Sequence, residues 1–275
     1  MSDDSRERAR EWWRTAIIDI EPGVIRPRGY PIEQLIGRVG YAEMLWLMLR
    51  GELPGKAEAA LLEAALVAAV DHGPQAPSIA IARMTVSSGN DLNGAVGAGI
   101  AALGDTHGGA GQQCMQLYEE IAARIAGGAP LEASVLEGVA LWQERYGKHV
   151  PGFGHRFHPV DPRSPKLLAL VDAAVAAGTV SGRYAAIGRA VEQALAQAKA
   201  GAKKPVPMNI DGATAVIFCE LGFPPPLGRG LFLLSRGVGI LSHAWEQMNE
   251  GTRIKGPTPP DFLYQYTGPA NRDLP

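Results

Sequence analysis

The chain has 275 residues, 46% of them apolar and 20% charged, which is the composition of a globular protein with a sizeable core and excludes a disordered one. A formal net charge of −2 and a pI near 6.3 exclude the global basic field of a nucleic-acid binder, while leaving room for a local patch facing an anionic ligand. No apolar run reaches the roughly 18 residues of a membrane span, and the mixed-charge start MSDDSRERAREWWR has no signal-peptide apolar core, so a cytoplasmic protein is expected.

In chain order, residues 16–30 predict one short hairpin. Residues 33–50 read as a helix preceded by Pro31 and followed by the Gly51-Glu52-Leu53-Pro54 break. The Ala-rich run 57–70 has high intrinsic helix propensity. Further helices are predicted over 91–103, 110–126, 131–146, 165–177, 184–200, 211–221 and 227–250. Gly127-Gly128 closes the 110–126 segment, and Gly222-Phe223-Pro224-Pro225-Pro226 stops the one beginning near Asp211. Without βαβ alternation, the expected fold class is all-α. The Pro-rich end, with Phe262, Tyr264 and Tyr266, is expected to extend across a surface or a partner subunit.

The Pro/Gly-rich stretches between these helices hold most of the histidines: His72 in ADHGPQAPS, His107 in GDTHGGAG, and His155 and His158 in VPGFGHRFHPVDPRSP. Loops on a rigid scaffold are where binding and catalytic groups concentrate. Gly108 and Gly109 allow a sharp turn and close ligand approach beside His107, and Gly152 and Gly154 do so beside His155. A helix-terminal histidine is more often a cap or a satisfied core residue than a catalyst, and His149, His158 and His243 keep that structural reading. No HExxH, HxH or Cys/His cluster is present, so no metal is expected. Cys114 and Cys219 lack CxxC partners and read as buried free thiols. The GxSxG elbow, the Walker loop and a GxGxxG loop after a strand are missing.

Seven segments carry a resemblance jointly: RGYPIEQLI at 28–36, LRGELP at 49–54, ADHGPQAPS at 70–78, THGGAG at 106–111, PGFGHRFHPVDPR at 151–163, MNIDGATAVIFCELGFP at 208–224 and LFLLSRGVGILSHAWEQ at 231–247. In this order, with 35 residues from His72 to His107 and 48 from His107 to His155, the series resembles the citrate synthase superfamily from about residue 16 onward. The resemblance implies an almost wholly α fold and a homodimer or higher assembly. It implies a large domain over about 1–150 and 222–275 and a smaller one, about 151–221, that closes over acyl-CoA. It also implies three catalytic residues. His107 resembles the histidine that stabilises the thioester enolate, His155 the one that handles the carbonyl or hydroxyl of the oxo-acid, and Asp211 the aspartate that exchanges the α-proton. His72, Arg163 and Arg236 match positions that bind oxaloacetate or citrate oxygens. The substrates implied are an acyl-CoA such as acetyl-CoA and a di- or tricarboxylate, with no metal and no organic cofactor.

The residue types suit that chemistry. Making or breaking a bond α to a thioester requires an enolate; a carboxylate can move the α-proton, and a neutral imidazole can donate a hydrogen bond to the enolate oxygen. Arginine forks bind carboxylates bidentately.

Three departures from citrate synthases bear on the reaction. The chain lacks the extra N-terminal segment those enzymes carry. DHGPQAPS stands where they have a HELNAST-like segment, and it looks like the DHGPAVSG of the citryl-CoA lyase module of ATP-citrate lyase. Near the C-terminus, RIKGPT puts Gly256, Pro257 and Thr258 where an RPR or RPK arginine is expected, with Arg253, Lys255 and Arg272 as possible substitutes. Losing one charge-assisted pair costs about 1.5–3 kcal/mol, and capture of free oxaloacetate suffers most. The reading is therefore a citryl-CoA lyase. The alternatives are a citrate synthase (or 2-methylcitrate-type synthase) and a catalytically degenerate acyl-CoA-binding subunit. The nucleotide-grasp machinery of ATP-citrate lyase is absent, so the chain is not expected to activate citrate with ATP.

Overall fold

A computed structural model describes residues 3–155, 159–198, 206–253, 258–259 and 261–274. Among these the elements run α1 (Asp3–Trp13), β1 (Ile18–Glu21), β2 (Val24–Pro27), α2 (Ile32–Leu35), α3 (Tyr41–Arg50), α4 (Lys56–Ala68), α5 (Pro77–Ser87), α6 (Leu92–Ala101), α7 (Ala110–Ala126), α8 (Leu131–Tyr146), α9 (Arg163–Ala176), α10 (Arg183–Ala198), α11 (Ile210–Glu220) and α12 (Pro225–Glu250). The fold is all-α apart from the expected hairpin, in which Ile18 pairs with Pro27 and Glu21 with Val24. No helix among the described residues is long and apolar enough to cross a membrane.

Two helices fall outside the expected set and one expected helix is divided. The 33–50 segment breaks between α2 and α3, where Ile36 is extended and Gly37 takes a φ of 77°. A new start at Gly40 follows, whose N–H donates to the Glu43 carboxylate at 2.7 Å. Helices α1 and α5 were not expected. The SIAIARMTVS run of α5 has modest helix propensity; tertiary burial of Ser78, Ile79, Ala82 and Val86 outweighs it.

The chain forms two compact units: residues 1–69 with 109–232, and residues 70–108 with 233–275. At the centre of the first unit is α11, with α4, α7, α9 and α10 packed around it. Its sequence IDGATAVIFCE is apolar almost all round, and every residue from Gly212 to Cys219 is buried, as such a helix requires. Two of the sequence segments anchor this unit. The Arg28 guanidinium donates to Met48 O at 3.1 and 2.6 Å, satisfying a carbonyl at the C-terminal end of α3. Arg50 donates to Gly222 O at 2.7 Å and lies over the Trp46 and Phe223 rings.

The second unit is built from α5, α6 and the later turns of α12. Gly99 lets these helices approach closely: a Cβ there would lie 2.8 Å from Ile240 Cγ2 and 2.9 Å from Ser78 O. At the C-terminal end of α12, Gln247 accepts from Arg83 Nε at 2.9 Å, and Glu246 and Glu250 pair with the same guanidinium.

Candidate active site

The six expected site residues divide evenly. Asp211, His155 and Arg163 belong to the first unit, and His72, His107 and Arg236 to the second.

In the first unit, Asp211 sits in the first turn of α11. The preceding Asn209 caps that helix, its Oδ1 accepting from Asp211 N at 2.9 Å and Gly212 N at 3.3 Å. The other arm of the same amide, Nδ2, donates to Gly154 O at 2.7 Å. Asn209 N donates to Gly152 O at 2.9 Å, and Gly154 N to Pro207 O at 2.7 Å, so the strand-like stretch leading to His155 is laced to the chain leading to Asp211. The approach is close enough to demand glycine on both sides. Gly152 has a φ of 83°, and a Cβ there would lie 2.6 Å from Cys114 Sγ and 2.8 Å from Gly212 Cα. A Cβ on Gly212 would collide with the Gly152 carbonyl.

Arg163 opens α9. Its Nε and Nη2 fork onto Asp161 Oδ1 and Oδ2 at 2.9 and 2.8 Å, while Nη1 lies 3.4 Å from Ala68 O. Asp161 Oδ2 also accepts from Ile210 N at 3.0 Å, so this carboxylate ties Arg163 to the start of α11. Asp161 is completely inaccessible to solvent. Burial pushes its carboxyl upward, but the Arg163 hydrogen bonds and charge, with the Ile210 N–H, prevail and hold its pKa at about 2.

In the second unit, a turn closed by a bridge between Gly104 and Gly108 presents His107. His107 Nε2 accepts from Ser78 N at 3.1 Å and lies 3.0 Å from Ser78 Oγ. A backbone N–H only donates, so Nε2 carries the lone pair and the proton of the neutral ring is on Nδ1. Burial, then the charge of Arg236, hold the His107 pKa below the ordinary histidine range. The N-terminus of α5, where Ser78 lies, acts in the same direction, because the positive end of a helix dipole disfavours a cation.

Arg236 is buried and His72 is exposed. The neighbouring Asp71 pairs with His243 Nε2 at 3.3 Å, and it accepts hydrogen bonds from the backbone of His72 and Gly73. His243 thus ties α12 to the residue that precedes His72. Cys114 and Cys219 are buried free thiols, and burial drives both far above the ordinary thiol range. His158, Lys255, Gly256 and Pro257 lie outside the described residues.

The family described as "Citrate synthase, C-terminal domain" matches residues 54–258. The chain belongs to the citrate synthase family. It is 29% identical over 219 residues to a citrate synthase of Haloferax volcanii, covering 79% of this chain and 54% of that protein. The chain spans about half the length of the curated relatives it matches. Among solved structures, the citryl-CoA lyase of Hydrogenobacter thermophilus matches with a TM-score of 0.83 and 31% identity, over 96% of this chain and 97% of that one. The citrate synthase of Thermoplasma acidophilum, solved with carboxymethyl-CoA and oxaloacetate, matches with a TM-score of 0.69 and 26% identity, over 86% of this chain and 59% of that one.

Within this citrate synthase-like chain, Asn209, Asp161 and Ser78 are the participants that sequence reasoning did not single out. Asn209 carries a readable signal, an Asn directly before an apolar helical run. Asp161 and Ser78 act through contacts that sequence spacing does not reveal.

Two measurements check this geometry. At pH 7 the ¹⁵N shifts of His107 should show a neutral Nδ1–H ring, with a midpoint below the ordinary value of 6.5; a cationic ring at pH 7, or an Nε2–H tautomer, contradicts the assignment. The second concerns Asp161, whose folded pKa is depressed. Its stabilisation is therefore complete above the unfolded value of 3.8 and is lost as pH falls toward about 2. The shift corresponds to about 2 kcal/mol, so Asp161→Asn should lower the denaturation midpoint at pH 7 and flatten its fall between pH 4 and pH 2. Equal acid sensitivity in both proteins would contradict the account.

Proposed function

We propose that the protein is a citryl-CoA lyase, cleaving citryl-CoA to acetyl-CoA and oxaloacetate through a thioester enolate. The observation that carries the enolate chemistry, common to cleavage and condensation, is the Ser78–His107 contact. It keeps a neutral imidazole with its proton on Nδ1, the form that can donate to an enolate oxygen without losing that proton.

In the proposed step His155 takes the proton of the tertiary hydroxyl, the C–C bond breaks, and its electron pair passes to the thioester as an enolate. His107 donates a hydrogen bond to the enolate oxygen, and Asp211, entering as the acid, protonates the carbon to release acetyl-CoA. Arg163, Arg236 and His72 bind the carboxylates, with residues about 151–221 closing over the CoA thioester. The reaction needs no metal and no organic cofactor. Two observations support cleavage as the direction: the DHGP string at 71–74, and a likeness to a citryl-CoA lyase extending over nearly all of both chains.

A citrate synthase is the second reading, favoured by the names of the curated relatives. The two differ in the fate of the thioester, since a synthase must also hydrolyse citryl-CoA to citrate and CoA. Products from citryl-CoA, and separately from acetyl-CoA with oxaloacetate, should be followed by mass spectrometry. We expect acetyl-CoA and oxaloacetate from the former, and no enzyme-dependent citrate from either. Asp211→Asn should lower turnover by about 10²–10⁴-fold with little effect on CoA binding. Enzyme-dependent citrate and free CoA would establish the synthase reading instead.

The proposed assembly is a cytoplasmic homodimer. Helix α12 leaves Leu234, Val238, Leu241 and Trp245 exposed, spaced 4, 3 and 4 residues apart and so on one stripe, while α5 exposes Ile81 and Met84. We expect a dimer by light scattering at micromolar concentration, and a shift toward monomer in the double variant Val238→Glu/Leu241→Glu. A wild-type monomer would refute the assembly.

A further inference from the structure

Asn209 does more than end a helix. Both arms of its side-chain amide are used, and they serve different parts of the chain: Oδ1 accepts from the first-turn N–H groups of α11, while Nδ2 donates across to Gly154 O. Gly154 immediately precedes His155, and Asp211 follows Asn209 by two residues. One side chain thus joins the main chain beside the proposed hydroxyl base to the main chain of the proposed carbon acid. The surrounding contacts make the junction stiff. Gly152 O accepts from Asn209 N at 2.9 Å, Met208 N donates to Glu192 at 2.7 Å, and Gly152 and Gly212 leave no space for a Cβ between them.

We propose that Asn209 is a positioning residue that fixes His155 relative to Asp211 through its Nδ2–H bond to Gly154 O. The proposal rests on the functional reading above, in which His155 and Asp211 act on two atoms of one substrate. Misplacing either by about 1 Å costs on the order of a hundredfold in rate, so the amide contributes through geometry and does not touch substrate itself.

The cap and the clamp can be separated. Serine and threonine are good N-cap residues, but neither supplies the second arm. Asn209→Ser and Asn209→Thr therefore keep an acceptor for Asp211 N and Gly212 N and lose the donor to Gly154 O. Asn209→Ala loses both. In the whole 275-residue chain we expect the Ser and Thr variants to lower kcat for citryl-CoA turnover about ten- to hundredfold, with KM changed less than about threefold and circular dichroism unchanged. Their melting temperatures should fall by no more than about 4 °C, as for one lost hydrogen bond. Asn209→Ala should be both slow and less stable. Wild-type kcat in the Ser and Thr variants would show that Asn209 is only a cap and overturn the proposal. So would an activity loss in proportion to a loss of folded protein, or one confined to KM. A wild-type protein that neither cleaves citryl-CoA nor condenses acetyl-CoA with oxaloacetate would instead refute the functional reading.

Discussion

The structure of the first unit depends on burying the start of α11. A helix buried along most of its length leaves its first-turn N–H groups little access to water, and each one buried without a partner would cost about 1–3 kcal/mol. Three of them are satisfied by two side chains: Ile210 N by Asp161, and Asp211 N and Gly212 N by Asn209. Neither side chain stops there. Asp161 also holds the Arg163 fork, and Asn209 also holds the carbonyl before His155. The need to satisfy a buried helix terminus therefore organises Arg163, His155 and Asp211 at once. This also accounts for the glycines. Chains joined by main-chain hydrogen bonds at this spacing have no room for a Cβ at Gly152 or Gly212.

The second unit uses a helix N-terminus in the opposite sense. At α5 the free N–H of Ser78 is satisfied by the His107 imidazole, where α11 uses a carboxylate and an amide. Histidine accepts such a bond only when neutral, so one contact fixes both the tautomer and the charge. The nearby Arg236 acts in the same direction, disfavouring a second positive charge. A group that must donate to an enolate oxygen and keep its proton gains from being a weak acid with a firmly placed hydrogen, and the fold supplies both properties from the main chain of one residue.

Much of this could be read from the sequence, and what could not has physical reasons. The apolar run after MNID marks α11 as a buried helix with an acid in its first turn. The order and spacing of the histidine loops point to the family. Helix α5 was not legible, because its β-branched residues have modest propensity and its helix depends on burial against partners in the second unit. The break at Gly37 is hidden inside an apolar run that keeps a helical rhythm. Ser78–His107 and Asp161–Ile210 join residues 29 and 49 positions apart, so no local pattern records them. Arg163 was singled out, as a proposed contact for a substrate carboxylate, but its structural partner Asp161, two residues away, was not. Sequence identifies the groups able to do chemistry more readily than the groups that hold them.

The direction of the proposed reaction depends on something other than the three proposed catalytic groups. An enzyme accelerates both directions of a reversible C–C cleavage by the same factor, because both pass through one transition state. His107, His155 and Asp211 would serve either direction. The absent arginine at Gly256 cannot shift the equilibrium between citryl-CoA and its products. It can weaken binding of free oxaloacetate, which raises the concentration needed for condensation and hastens release after cleavage. A substrate whose two halves are still joined is held through its CoA half as well, so it loses proportionately less. Commitment to synthesis comes from a separate and nearly irreversible event, hydrolysis of the thioester. That event requires a water placed at the thioester carbonyl, whereas cleavage requires only that water be kept from it. The difference between lyase and synthase on this scaffold is therefore a difference in access of water to one carbonyl, and the same proton-moving groups are compatible with either.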